Sequence, residues 1–461
     1  LHAEIAEILE TRYAEDARNK PLETLAYHYD GSANYERASE LAELAGDRAW
    51  ASAALDRTRQ QYGAALAALD RLEQTEEVQR RWLAISKRRA FACVFNPARE
   101  QIDMLNRAAE IGEALGDASA VGHAHFWAGF ISYSIGDMSD SIDQYETGLI
   151  VAERARDPKL IAQLRANLGE SRAATCAYEE ATLLLDESIE TKRKLQSSAG
   201  GGSAPTGSAF ALACKGFMAA DRGDVEEAEE LIEASLEAVR GTGHPVAGSC
   251  LAFKASGLVF LGRFEEAIKI GARVQGLGER MNGPYLFGRG RSEASFARFM
   301  LHGDRDALEA LHATTDWLEE KEIRLYISMG QGCLAEAMVR ADRLDIARRY
   351  ADKALKRADE LDRVGEGMAC RALARISERE FPNQPEIADR YLERALGAAA
   401  ERGSARERAL TNAVQAELLA QRGERDRARD LINKARIELE RMEMTWYAAD
   451  ARRVAASLDR A

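Results

Sequence analysis

Along this 461-residue chain, small and large apolar positions recur at helical spacing within a longer ladder. A Gly or Asp turn is followed by a segment carrying a small residue, a large apolar residue four later and a small one three beyond. Clear copies are GDMSDSIDQYETGL from Gly136, CAYEEATLLLDESI from Cys176, GDVEEAEELIEASL from Gly223 and GRFEEAIKIGARV from Gly262. The first small position falls at Ala38, Ala65, Gln101, Ser141, Ala181, Ala228, Ala267, Leu308, Ala347, Ala388 and Ala428. From Ala65 onward the gaps are 36, 40, 40, 47, 39, 41, 39, 41 and 40 residues. A period near 40 with a turn in each copy predicts helix, turn and second helix, repeated. One hairpin cannot bury its apolar face, so neighbours must stack into a single long core. The expected fold is therefore all-α, a right-handed α-solenoid of about eleven hairpins. The one long gap holds SSAGGGSAPTGSA at Ser197–Ala209, read as a flexible insertion between repeats that stay in phase.

The residue choices have a packing reason. Paired helices approach closely where small side chains cross, which accounts for Ala181, Ala228, Ala267, Ala347 and Ala388. The large residue four on, such as Tyr145, Leu185 or Ile232, is expected to fill the space against the next hairpin. The copies resemble tetratricopeptide repeats (TPR) in the turn glycine, the small residue opening the second helix, and the large and small residues after it. Leu168-Gly169 and Lys215-Gly216 stand where that family carries Leu-Gly in its first helix. Most copies lack the family's first-helix Trp, and the period exceeds its 34 residues.

Composition agrees with helices and narrows the partners. Only 8 prolines interrupt the chain, and 46% of residues are hydrophobic. A net charge of -13 argues against nonspecific nucleic-acid or anionic-membrane binding, and no apolar run reaches membrane-spanning length. The six cysteines are widely spaced with no CxxC pair, which points to a reducing cytoplasm and packing thiols. Arginine outnumbers lysine 51 to 12, the skew of a GC-rich bacterial genome. The chain begins at Leu1, so it is expected to be a piece of a longer protein.

The amino end carries a second resemblance. LHAEIAEILE at Leu1–Glu10 and LETLAYHYDGSANYERASELAELAGDRAW at Leu22–Trp50 resemble the junction that follows an ATPase module's winged helix in bacterial multidomain proteins. The matching residues are Leu1, His2, Ile5, Ala6, Leu9, Glu10, Leu25, Ala26, His28, Tyr29, Ala38, Ala45 and Gly46. Such junctions precede repeat tails in class III adenylate/guanylate cyclases with an AAA/STAND-type ATPase module, and in STAND-type transcription regulators. The organisation that follows is junction helices and a first hairpin over 1–45, then TPR-like repeats over 46–196. An insertion occupies 197–209, and the same solenoid continues over 210–461. The resemblance implies a noncatalytic interaction and sensing module, the regulatory tail of a cyclase–ATPase protein. A STAND-type regulator and a freestanding scaffold are the alternatives.

No residue pattern announces chemistry. Gly202 and Gly207 have GxxxxG spacing but lack the lysine that would reach a phosphate. Gly330-x-Gly332-x-x-Ala335 has dinucleotide-loop spacing inside a predicted first helix, where glycines permit close packing. The seven histidines form no ligand pair at i, i+4, so no metal and no cofactor is expected. The remaining candidate is a groove lined by first helices, taking a protein, a peptide, or the parent's own ATPase or effector domains. Projecting the family's inward positions gives His123, Phe126, Phe130, Tyr133, Gln163, Glu170, Phe217, Asp221 and Phe260. A solvated basic connector is expected at Arg280–Arg291, RMNGPYLFGRGR. A homo-oligomer is also compatible with the pattern.

Overall fold

The computed structural model describes the chain apart from residues 17, 53, 94–96, 199–205, 243, 245 and 461. Among the described residues there are 23 helices and no strand. The first six are α1 (His2–Arg12), α2 (Leu22–Gly31), α3 (Tyr35–Ala51), α4 (Leu55–Leu69), α5 (Glu76–Ala92) and α6 (Glu100–Ala114). Next come α7 (Ala118–Ser134), α8 (Met138–Ala155), α9 (Pro158–Ala174), α10 (Tyr178–Ser198), α11 (Thr206–Arg222) and α12 (Val225–Ala238). Then follow α13 (Val246–Phe260), α14 (Phe264–Arg280), α15 (Pro284–His302), α16 (Arg305–Glu320), α17 (Ile327–Arg340) and α18 (Leu344–Asp359). The last are α19 (Glu366–Glu380), α20 (Pro385–Glu401), α21 (Ala405–Gln421), α22 (Arg425–Arg441) and α23 (Thr445–Arg460). No described helix is long and apolar enough to cross a membrane.

The hairpin register can be read at one crossing. A methyl placed on Gly216 of α11 would lie 2.7 Å from Ile232 Cγ1 of α12, so only glycine lets these helices meet. The same offset of 16 residues joins Gly46 to Tyr62, Gly129 to Tyr145 and Gly169 to Leu185. Tyr145, Leu185 and Ile232 therefore pack back on their own first helices, where the sequence suggested the next hairpin. This register makes α3 the first helix of a hairpin with α4. The copy at Ala38 lies on α3 and is not a second helix; ten hairpins run from α3 to α22, preceded by α1 and α2 and followed by α23.

The chain forms two compact units: Leu1–Ser132 with Asp143–Leu160, and Tyr133–Ile142 with Ile161–Ala461. In the first, Leu25, Leu41, Tyr62, Leu66, Trp82 and Ile85 form the core. The junction histidines touch there: His28 Nδ1 and His2 Nδ1 are 3.0 Å apart, above Gly31. In the second, the main core draws on residues from Tyr133 to Leu458, with smaller clusters around Leu392 and around Leu251.

The second unit folds back on itself. Gly223 takes a left-handed φ of +95° in the α11–α12 turn, and a side chain there would strike Met442 of the α22–α23 connection. Gly262, at φ +71°, abuts Tyr447 of α23 in the same way. These turn glycines thus do two jobs: they reverse the chain and admit a distant helix end. Of the Ser197–Ala209 insertion, residues 199–205, Gly202 among them, lie outside the described residues; the described remainder is helical, Ser197–Ser198 closing α10 and Thr206–Ala209, with Gly207, opening α11. Gly330 and Gly332 sit on α17, after no strand, and Gly332 lets α17 approach Gly365 O. Arg280–Arg291 is not a solvated connector: Pro284 opens α15, and Arg289 is buried in an ion pair with Glu293. Proline at the first helical position has the preset φ that helices require, so the Gly-Pro step starts a helix here.

Candidate interaction surface

The nine groove residues read from the sequence divide between the units. Tyr133, Glu170, Phe217, Asp221 and Phe260, all in the second unit, are buried. Gln163, on α9, is exposed. In the first unit Phe126 is buried, whereas His123 and Phe130 are partly exposed.

What covers the five buried inward residues of the second unit is the chain itself. Phe217 packs against Phe253, Phe260 and Tyr326, with ring centroids 5.3, 5.3 and 5.7 Å away. The Arg406 guanidinium lies 4.3 Å from the centre of the Phe260 ring. Asp221, at the end of α11, accepts from Tyr178 Oη at 2.7 Å and pairs with Arg402 at 3.3 Å and with Arg406. Its backbone carbonyl accepts from Ser404 Oγ at 2.5 Å, closing a contact over 183 residues of chain. Arg406 also pairs with Glu407, which pairs with Arg371, which pairs with Glu336 at 2.8 Å. Burial alone would raise the Glu407 carboxyl, but Arg371, Arg406 and Arg402 hold it well below the usual range. Glu170 has no such cation. Burial pushes its pKa up to about 8, only partly offset by the 2.5 Å hydrogen bond from Tyr133 Oη.

The first unit keeps an open site. A cleft of about 280 Å³ between α5, α6 and α7 is lined by residues including Arg80, Lys87, Asp117, Ser119, His123 and Trp127. Asp117 caps α7, accepting from Ala120 N at 3.0 Å, and lies 3.7 Å from Arg80. Ser119 O holds His123 Nδ1 at 2.8 Å. Burial lowers the pKa of His123, and Lys87 opposes its protonation further. Burial also lowers the pKa of Lys87. The cleft therefore offers a neutral imidazole and an ammonium against an indole wall, an arrangement suited to holding a polar group beside an apolar one.

Beside the cleft runs an aromatic ladder that the sequence reading caught only in part. Trp50 of α3, Phe91 of α5, Trp127 and Phe130 of α7 follow at centroid distances of 5.1, 5.7 and 5.8 Å. Phe91 is 50% exposed and Trp50 39%. Lys87 carried no signal: one period on it aligns with Trp127, which was not among the projected inward positions. Trp50 and Phe91 carried none, because both stand at helix ends outside the repeated positions.

All six cysteines are free and buried. Burial raises the thiols of Cys93, Cys176 and Cys250 to about 11 and that of Cys370 to about 12. Among the described residues no group of three His, Cys, Asp or Glu side chains could hold a metal ion.

No protein-family model matches the chain, and no curated protein sequence does. Among solved structures, a Rap protein complexed with competence and sporulation factor aligns over 92% of this chain and 98% of its own. That pair shares 12% identity with a TM-score of 0.41. Yeast Tom70 aligns over 98% and 96%, at 13% identity and a TM-score of 0.34. The APC/C hetero-tetramer Cut9–Hcn1 gives the same coverage and identity, with a TM-score of 0.35. The hairpin-array fold is established by the chain's own helix pairing.

Proposed function

We propose that the chain is a noncatalytic, TPR-like interaction and sensing module whose partner-binding face is the cleft and aromatic ladder of the first unit. One observation carries this reading: the second unit covers five of its six inward first-helix residues, all but Gln163, with its own side chains, while the first leaves Lys87, His123 and Phe91 accessible. A protein segment that lays an apolar side chain on the ladder and a polar group in the cleft fits both surfaces. The test is recovery of a cross-linked partner by wild type, Lys87→Glu and Phe91→Ala. Both substitutions lie on exposed positions, so folding is expected to survive. Loss of the same partner from both variants supports the site; unchanged recovery with native circular dichroism removes it.

The junction motif of α1 and α2 supports a finer reading, in which the module is the C-terminal regulatory part of a bacterial adenylate/guanylate cyclase–ATPase protein acting in the cytoplasm. The upstream reading frame tests it. An ATPase followed by a winged helix, with a cyclase before it, supports the proposal; a DNA-binding effector in its place favours the STAND-type regulator, and a start codon alone favours a scaffold. In any of the three, the isolated chain is expected to turn over no nucleotide.

A further inference from the structure

Two histidines of the junction segment, which the interaction face does not use, meet in the first unit. His2 opens α1, and His28 stands in the last turn of α2, 26 residues later. Their Nδ1 atoms lie 3.0 Å apart and their ring centroids 5.0 Å. Both residues are partly exposed, so water reaches the pair. No i, i+4 spacing announces it, because the two imidazoles come from different helices.

Two neighbours hold the rings in place. A methyl on Gly31 would lie 2.6 Å from His2 Nδ1, so only glycine lets the His2 ring lie against the end of α2. The Tyr27 ring stands edge-on to both imidazoles, at centroid distances of 5.6 and 5.3 Å. Ligand groups oriented in advance lose less freedom when an ion arrives. The separation of the nitrogens then selects a coordination geometry. With metal–nitrogen bonds of about 2.1 Å, two ligands at a right angle stand about 3.0 Å apart, and two at the tetrahedral angle about 3.4 Å. The observed 3.0 Å matches neighbouring positions of a square-planar or octahedral ion, and imidazole suits nickel and copper among these.

We propose that His2 and His28 chelate a divalent transition ion of that geometry, Ni²⁺ or Cu²⁺, through their Nδ1 atoms, with water at the remaining positions. A two-imidazole chelate needs no third protein ligand, and among the described residues no group of three ligand side chains exists. In the metal-free pair one Nδ1–H donates to the other Nδ1. On binding, that proton moves to Nε2 of the donor ring, and the two Nδ1 lone pairs replace two waters of the ion. No electron is transferred. The site shares no residue with the interaction cleft and does not depend on it.

Isothermal titration of the full chain with Ni²⁺ in a non-coordinating buffer tests the proposal. One ion per chain is expected, bound at least about tenfold tighter than by His28→Ala, because the second imidazole binds intramolecularly. His2→Ala should weaken binding as much, and the double substitution little further. Gly31→Ala keeps both imidazoles but displaces the His2 ring, and should also weaken binding. Mg²⁺, which prefers oxygen ligands, should not occupy the site. Paramagnetic Ni²⁺ should broaden the ring resonances of His2 and His28 before those of the other five histidines. Wild-type affinity in His28→Ala, or broadening that begins at another histidine, would overturn the proposal. The resonance measurement needs only the wild-type chain, so it decides even where a variant does not fold.

Discussion

Arg406→Met is the sharpest probe of how the second unit is held. Arg406 is fully buried and joins two carboxylates, Asp221 on α11 and Glu407 on its own helix α21. Methionine keeps much of the side-chain stem over Phe260 but removes the charge. Breaking a buried ion pair by deleting one partner destabilises by about 3–5 kcal/mol, because the other charge is left uncompensated. Asp221 would retain Tyr178 and Arg402, and Glu407 would retain Arg371, so the lower end, about 3 kcal/mol, is expected here.

The location of the loss is more telling than its size. In a simple solenoid each hairpin touches only its neighbours, so damage at α21 would spread to α19, α20, α22 and α23. Here Arg406 reaches across 185 residues to Asp221, and the α11–α12 turn also faces Met442. Hydrogen exchange should therefore show α11 losing protection together with α21, although α13 to α18 lie between them in sequence. The double substitution Asp221→Asn with Arg406→Met should show a coupling of about 1–3 kcal/mol in urea unfolding. A loss below about 1 kcal/mol for Arg406→Met, or unchanged α11 protection in that variant, would refute the account of the second unit as closed by this network.

Further expectations follow from single residues. Glu170 has its pKa raised to about 8 in the folded chain, so its proton stabilises the fold fully below the ordinary carboxyl pKa of about 4.5. That contribution is lost as pH rises through 8. Thermal unfolding should show wild type losing stability relative to Glu170→Gln between pH 4.5 and 8, and parallel profiles would contradict the burial of an uncompensated carboxyl. Gly216→Ala would push a methyl against Ile232 and should destabilise by about 1–3 kcal/mol in urea unfolding, with partial rescue by Ile232→Val. A neutral result would mean that α11 and α12 do not cross at that point. Ellman's reagent should find almost no reactive thiol in the native chain and all six after denaturation, because every cysteine is buried and its thiolate disfavoured. Rapid native labelling of even one would show that its helix opens readily.

Much of the architecture was legible in the spacing alone. Ala181, Ala228, Ala267, Ala347 and Ala388, named from the ladder, are all buried. Ten of the eleven copies mark second helices. The exception, Ala38, misleads because α3 packs on α2 and α4 alike and so carries small residues on a broad face. The direction in which Tyr145, Leu185 and Ile232 pack was not readable either. A helical repeat states which residues share a face, and the partner of that face depends on how neighbouring hairpins are rotated.

The candidate site was legible only in fragments. His123 and Phe130 came from the inward positions of one first helix, and both border accessible surface in the first unit. Phe217, Asp221 and Phe260 came from the same rule and are buried, covered by Tyr326 and Arg406. Arg289 illustrates the same gap: in sequence it sits among glycines and other arginines and reads as solvated, while in the fold it is a buried partner of Glu293. The sequence by itself determined an all-helical array and its period, because helix propensity and the small-large alternation act within a few residues and recur. Whether the inner face stays open was decided by tertiary structure alone. That depends on contacts such as Asp221–Arg406, made once, between residues far apart in the chain, where no periodic pattern can encode them.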